Sequence, residues 1–125
     1  MFNQILVIAA GGAFGAVSRF FASHAVYHLL GRNFPYGTLF VNVAGSFLMG
    51  LLFILFIERF SSASEWRSMI LIGFLGSFTT FSTFSMETLT LLQQADYLKA
   101  GLNILSSVVL CLLAAWLGVL LARIL

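Results

Sequence analysis

The chain has 125 residues, 61% hydrophobic and 8% charged, where ordinary soluble domains are about a quarter charged; a soluble globular domain is excluded. A bilayer-spanning helix needs about 20 apolar residues, so four spans take roughly 80 to 100 positions and leave no room for an extramembrane catalytic domain. The net charge of +2 comes from six basic and four acidic residues set singly, which argues against nucleic-acid binding, and the one lysine, Lys99, follows no glycine-rich loop, which argues against nucleotide binding and ATP-driven pumping.

The first apolar stretch runs from about Ile5 to Leu30. Its leading residues, Met1-Phe2-Asn3-Gln4, carry no positive charge, and the stretch is too long for a signal-peptide core, so this helix is expected to stay in the mature protein. Gly11, Gly12 and Gly15 include a Gly11-x-x-x-Gly15 pair and read as a close-packing face. Arg19, about 21 Å along the helix from Ile5 at 1.5 Å per residue, falls near the far interface and reads as a snorkelling or carbonyl-bound structural residue. His24 and His28 share a face at i, i+4, a zinc-compatible spacing with no third ligand nearby.

After the break Gly31-Arg32-Asn33-Phe34-Pro35, a second stretch covers Tyr36 to Ile57, with Thr38, Asn42, Ser46 and Gly50 along one face. The segment Glu58 through Arg67 separates it from the third stretch, Ser68 to Leu92, and Gln93 through Lys99 precede the fourth, Ala100 to Ala122. On the fourth, Asn103, Ser107 and Cys111 again share a face. Unsatisfied polar groups facing lipid cost several kcal/mol, so both stripes must meet another helix or a path; interhelical hydrogen bonding and conduction both fit. Cys111, the only cysteine, forms neither an intrachain disulfide nor a multi-cysteine metal site. Tyr27, Tyr36, Trp66, Tyr97 and Trp116 read as an interfacial aromatic belt.

The third stretch is the most informative. From Gly73 to Ser85 it reads GFLGSFTTFSTFS, and Gly, Ser and Thr weaken a helix interior. A break near Gly76 to Thr79 is expected; the alternative is an intact kinked helix whose hydroxyls bond carbonyls one turn back. Unwound backbone at membrane depth persists only where its carbonyls are buried or coordinate something, and freed carbonyls suit a small cation such as Na+. Phe81 and Phe84 lie on one face beside Thr80, Thr83 and Glu87. Aromatic pairs usually pack a core, but a positive ring edge turned into a narrow path contacts an anion without trapping it. Asn42, Asn103 and the hydroxyls supply donors to offset dehydration. Glu87 repels anions unless it is protonated, paired or turned aside.

Arg59, Arg67 and Arg123 fall on the side of the N-terminus, and Arg32, Lys99 and Arg19 opposite. Loop charge bias normally sets orientation, so a tally of three against three predicts insertion both ways and permits an antiparallel homodimer. Four short helices are also few to shield a path from lipid, which favours oligomers.

The sequences GGAFGAVSRF (Gly11 to Phe20), GTLFVNVAGSFLMG (Gly37 to Gly50) and GFLGSFTTFSTFS (Gly73 to Ser85) closely resemble the Fluc (CrcB) family of bacterial fluoride channels, and the resemblance covers essentially the whole chain. It implies an all-α, four-helix membrane protein with a broken third helix. The implied assembly is an antiparallel, dual-topology homodimer in the bacterial inner membrane, passing F− through two pores, with a structural Na+ at the dimer centre. By the same resemblance, the carbonyls of Gly76 and Thr79 from both subunits hold Na+, the Phe81 and Phe84 ring edges and Asn42 line the fluoride pathway, and Ser82, Thr83 and Glu87 handle a partly hydrated ion. Asn103, Ser107 and Cys111 occupy a helix 4 polar track where the family more often has hydroxyls; the Cys111 thiol is a weaker donor, and Ala115 continues the stripe with none.

The expected function is passive, fluoride-selective export that confers fluoride resistance: HF enters as a weak acid, dissociates in the cytoplasm, and F− leaves down its gradient. No bond is changed, so no enzyme is expected. The alternative is a small proton-coupled multidrug-type exporter using Glu87, and a weaker one is an assembly subunit of a larger membrane complex.

Overall fold

The structure is a computed structural model that describes residues 1–59 and 64–125; within the expected break Glu58 to Arg67, residues 60–63 lie outside the described residues. Four helices among the described residues are long and apolar enough to cross a membrane, Phe2–Leu30, Tyr36–Arg59, Ser64–Gln93 and Tyr97–Ile124. The architecture is all-α.

Helix α1 is Phe2–Leu30. It ends at Gly31, whose φ of 84° is left-handed, a conformation glycine adopts without steric cost; the Gly31 N–H turns back to the Tyr27 carbonyl at 2.8 Å. Pro35 precedes α2, Tyr36–Ile54, which continues in wider π-type turns over Leu55–Arg59. The third span is in two pieces. Helix α3 (64–78) comprises Ser64–Arg67, a π-wound stretch Ser68–Leu75 and a last turn Gly76–Phe78, and α4 is Phe81–Gln93. Helix α5 is Tyr97–Ile124, capped by Asp96, which accepts from the Lys99 N–H at 3.4 Å and also meets Lys99 Nζ at 3.6 Å.

Helix α1 lies along α3, and α2 lies along α5. Glycine sets both approaches: a Cβ at Gly11 or Gly15 would overlap the backbone carbonyl of Met69 or Phe74, and one at Gly50 or Gly118 would overlap that of Ala115 or Phe47. Gly11-x-x-x-Gly15 thus packs as its spacing suggests. Val41, Leu75 and Asn103 are the largest fully buried side chains, while Phe14, Phe21, Leu105, Leu112 and Trp116 are exposed, the pattern of a chain whose outer solvent is hydrocarbon. With helices paired this way, the gap between α3 and α4 faces the polar stripe of α2.

Candidate ion-pathway site

The third span breaks at Thr79 and Thr80, both extended (φ −87°, ψ 156° and φ −152°, ψ 120°). Sequence placed the break near Gly76 to Thr79; Gly76–Phe78 instead remain helical and the chain opens at Thr79, within the expected segment, and stays open through Thr80. Two β-branched residues in succession favour extended backbone, and a partner from α2 holds it there. Asn42 Nδ2 donates to the Thr80 carbonyl at 2.9 Å, and the Thr80 N–H donates to Asn42 Oδ1 at 2.7 Å. Asn42 therefore satisfies both backbone groups of one residue, as a neighbouring strand would.

Thr80 also starts α4. Its Oγ1 accepts from the Thr83 N–H at 3.2 Å, and the Ser82 and Thr83 hydroxyls lie 3.3 and 3.2 Å from the same oxygen. These diversions matter for the carbonyls one turn back. In an α-helix the Gly76 carbonyl would accept from Thr80 N–H and the Thr79 carbonyl from Thr83 N–H; here Asn42 takes the first donor and Thr80 Oγ1 the second. The two carbonyls assigned to Na+ by resemblance are thus among those at the break that lose their helical donors, and Gly76 lies exposed. Features of the kinked-helix alternative are present beside the break, since Ser77 Oγ and Thr79 Oγ1 donate to the Gly73 and Leu75 carbonyls, one turn back, at 2.6 and 3.0 Å.

Three cavities border α4, two beside its first turn and one nearer its C-terminal end. A groove of about 490 Å³ between α2, α4 and α5 is lined by Asn42, Ser46, Phe81, Phe84, Ser107 and Cys111, with Ala115 at its edge. The Phe81 and Phe84 ring centroids are 5.4 Å apart, tilted by 49°, and Phe81 is 78% exposed, so this pair does not fill a core. An inner cavity of about 340 Å³ contains Arg19, Thr38, Thr80 and Thr83 and shares Thr80 with the groove. Arg19, read from sequence as structural, lines this cavity. An outer vestibule of about 460 Å³ holds Tyr27, Arg32, Asn33, Glu87, Gln94 and Lys99.

The two polar stripes divide their work. Asn103 is buried and gives its amide N–H to Thr88 Oγ1 at 2.9 Å, Thr88 donates to the Phe84 carbonyl at 2.8 Å, and Ser107 Oγ reaches Asn103 Oδ1 at 3.5 Å. Asn103 ties α5 to α4, whereas Ser107 and Cys111 reach the groove. Tyr27 is not simply an interfacial aromatic: its hydroxyl donates to Glu87 Oε2 at 2.8 Å. Sequence reasoning missed Tyr27, and missed Thr88, whose role depends on a contact 15 residues away. His24 and His28 gain no further ligand; no group of three or more metal-ligating side chains occurs among the described residues.

The family described as CrcB-like protein, Camphor Resistance (CrcB), matches residues 6–119. A relative from Methylococcus capsulatus, named fluoride-specific ion channel FluC, is 58% identical over 120 residues; the match covers 96% of this chain and 53% of the relative, so the chain spans about half that protein's length. Relatives of the same name from Magnetococcus marinus (56% identical over 120 residues) and Coxiella burnetii (52% over 121) are each matched over 96% of this chain and 98% of their own length.

Proposed function

The chain belongs to the CrcB family, and from that premise we propose that it is a fluoride-specific channel of the bacterial membrane, through which F− leaves the cytoplasm down its electrochemical gradient. The observation that carries the assignment to a place in the molecule is the groove beside the helix break, where Asn42, Ser107, Cys111 and the Phe81 and Phe84 rings meet. Passage of an ion forms and breaks no bond, so these residues act by replacing water around the ion.

A small anion gives up hydration on entering the groove, and hydroxyl, thiol and ring-edge contacts offset part of that cost. Ring edges carry only partial positive charge, so they bind without the trapping that a buried ammonium would impose. Ser82, Thr83 and Arg19 stand on the way to the groove and meet the ion while it is still partly hydrated. HF entering by diffusion dissociates inside, and outward flow of F− lowers its cytoplasmic concentration.

The working unit is an antiparallel homodimer. Two observations support it: the balanced distribution of Lys and Arg, three at each end of the bundle, and a groove open along α4, where Phe81 is 78% exposed, which a second copy would close. The donor set also fits Na+. Carbonyl oxygens suit hard cations, and Gly76 and Thr79, whose helical donors are diverted, would supply them from both copies. The ion would supply positive charge at the centre of the dimer and hold the two breaks in register.

The proton-coupled exporter built on Glu87 loses its ground, because relatives more than half identical along nearly their whole length are named fluoride-specific channels. The test is efflux from proteoliposomes containing the purified protein, followed with fluoride and chloride electrodes with and without a potassium ionophore. Rapid fluoride loss that needs the ionophore, with chloride retained, is expected. No fluoride flux from folded protein, or equal loss of both halides, would overturn the assignment.

A further inference from the structure

The Tyr27 hydroxyl on α1 donates to Glu87 Oε2 on α4 at 2.8 Å and lies 3.5 Å from Thr38 Oγ1 on α2. Three helices meet on one phenol. Against the face of the same ring sits Arg32, its guanidinium carbon 4.6 Å from the centroid, within cation–π range. One side chain therefore holds a carboxylate at its tip and a cation on its face, and keeps them apart.

Glu87 has little else to hold it. Oε1 is buried and lacks a hydrogen-bond partner among the described residues, so the carboxylate is anchored through a single donor, and a hydrogen bond to a charged group is among the stronger kinds. The place of this cluster matters. Tyr27, Arg32 and Glu87 line the outer vestibule, while Thr38 lines the inner cavity, so the phenol stands at the partition between them. The other charges of the vestibule, Asp96 and Lys99, are paired with each other at 3.6 Å. Arg32 is consequently the vestibule cation that no carboxylate neutralises among the described residues.

We propose that Tyr27 is a positioning residue for fluoride passage, holding Glu87 at the partition and Arg32 away from it, so that the entering anion meets a free cation rather than a carboxylate or a neutral ion pair. Opposite charges that close in a partly desolvated cavity attract strongly, and loss of the ring lets Arg32 and Glu87 pair. Loss of the hydroxyl alone frees the carboxylate to swing from the vestibule wall, which it already lines, into the space the anion crosses, where its charge opposes F−. The proposal rests on the fluoride-channel reading.

Tyr27→Phe removes the hydroxyl and keeps the seat for Arg32; Tyr27→Leu removes both. In proteoliposomes, fluoride efflux is expected to fall about tenfold or more in Tyr27→Phe, the scale set by one charge-assisted hydrogen bond, and further in Tyr27→Leu. In a Glu87→Gln background the Tyr27→Phe decrease should disappear, because a neutral amide brings no charge into the route. Unchanged flux in Tyr27→Phe, or an equal decrease in both backgrounds, would overturn the proposal. Infrared difference spectra give a second readout that needs no flux: the Glu87 carboxylate stretch, identified by its loss in Glu87→Gln, should shift in Tyr27→Phe, and an unshifted band refutes the positioning role. Absence of flux from the unmodified protein would instead count against the channel reading, with the infrared band still deciding whether Tyr27 holds Glu87.

Discussion

Asn42→Ala isolates the contact that holds the third span open. The substitution removes a donor at 2.9 Å and an acceptor at 2.7 Å from the two backbone groups of Thr80, a buried residue. Each stranded group costs about 1–3 kcal/mol in a protein interior. Interhelical hydrogen bonds in membranes contribute less, about 0.6 kcal/mol on average and up to about 1.7, because a chain unfolded in the bilayer finds other partners. The unfolded chain finds such partners for Thr80 as well, so the lower figure applies to each bond singly and the pair sums to about 1–3 kcal/mol. A loss of that size, at 1.4 kcal/mol per tenfold, shifts the break from its native geometry by about fivefold to a hundredfold. Fluoride efflux is expected to fall at least about fivefold, with stability in detergent titration lowered by about 1–3 kcal/mol. Asn42→Asp keeps the acceptor and loses the donor to the Thr80 carbonyl, so it should retain more stability than Asn42→Ala while placing an opposing charge on the groove. Asn42→Ala with normal flux and normal stability would refute the idea that this side chain maintains the break.

Two further outcomes follow from the same geometry. Phe81→Ala and Phe84→Ala should each lower fluoride efflux by about tenfold or more while leaving the bundle folded, because Phe81 is largely exposed and its ring contributes little to the core; unaltered efflux in both would remove the ring-edge contribution. Replacing Na+ throughout by a large organic cation should abolish efflux and loosen association of two copies, measured by light scattering beside flux, and activity independent of Na+ would show that the Gly76 and Thr79 carbonyls serve another purpose.

Much of the architecture could be read before any coordinates. Apolar runs of more than 20 residues leave few options in a bilayer, and the punctuation at Gly31, Pro35 and Asp96 marks where spans end, because each acts through its own backbone or its nearest neighbours. The broken third span was visible for the same reason: Gly, Ser and Thr weaken a helix locally, whatever surrounds them. The pattern located the break only to within a few residues, its expected segment meeting the observed one at Thr79. Thr79 and Thr80 are β-branched and lean locally towards extended backbone, but the partner that holds Thr80 is Asn42, 38 residues away, and a long-range hydrogen bond leaves no local signature.

The side chains at the site divide along the same line. Periodicity placed Asn42 and Asn103 on polar faces, and by periodicity alone both served equally well as glue or as pathway. Packing gave each a partner on the third span, Asn103 meeting Thr88 in a buried contact and Asn42 meeting the Thr80 backbone beside the groove it also lines. Tyr27 is the clearest case. Its position near a helix end suggested a membrane-interface ring, yet its hydroxyl reaches Glu87 and its face carries Arg32. The sequence by itself determined the solvent, the number of spans and the chemistry available within them, since those depend on composition and short-range periodicity. Only the tertiary structure decided which polar groups are spent on one another and which line a cavity, because hydrogen-bond partners are chosen between helices.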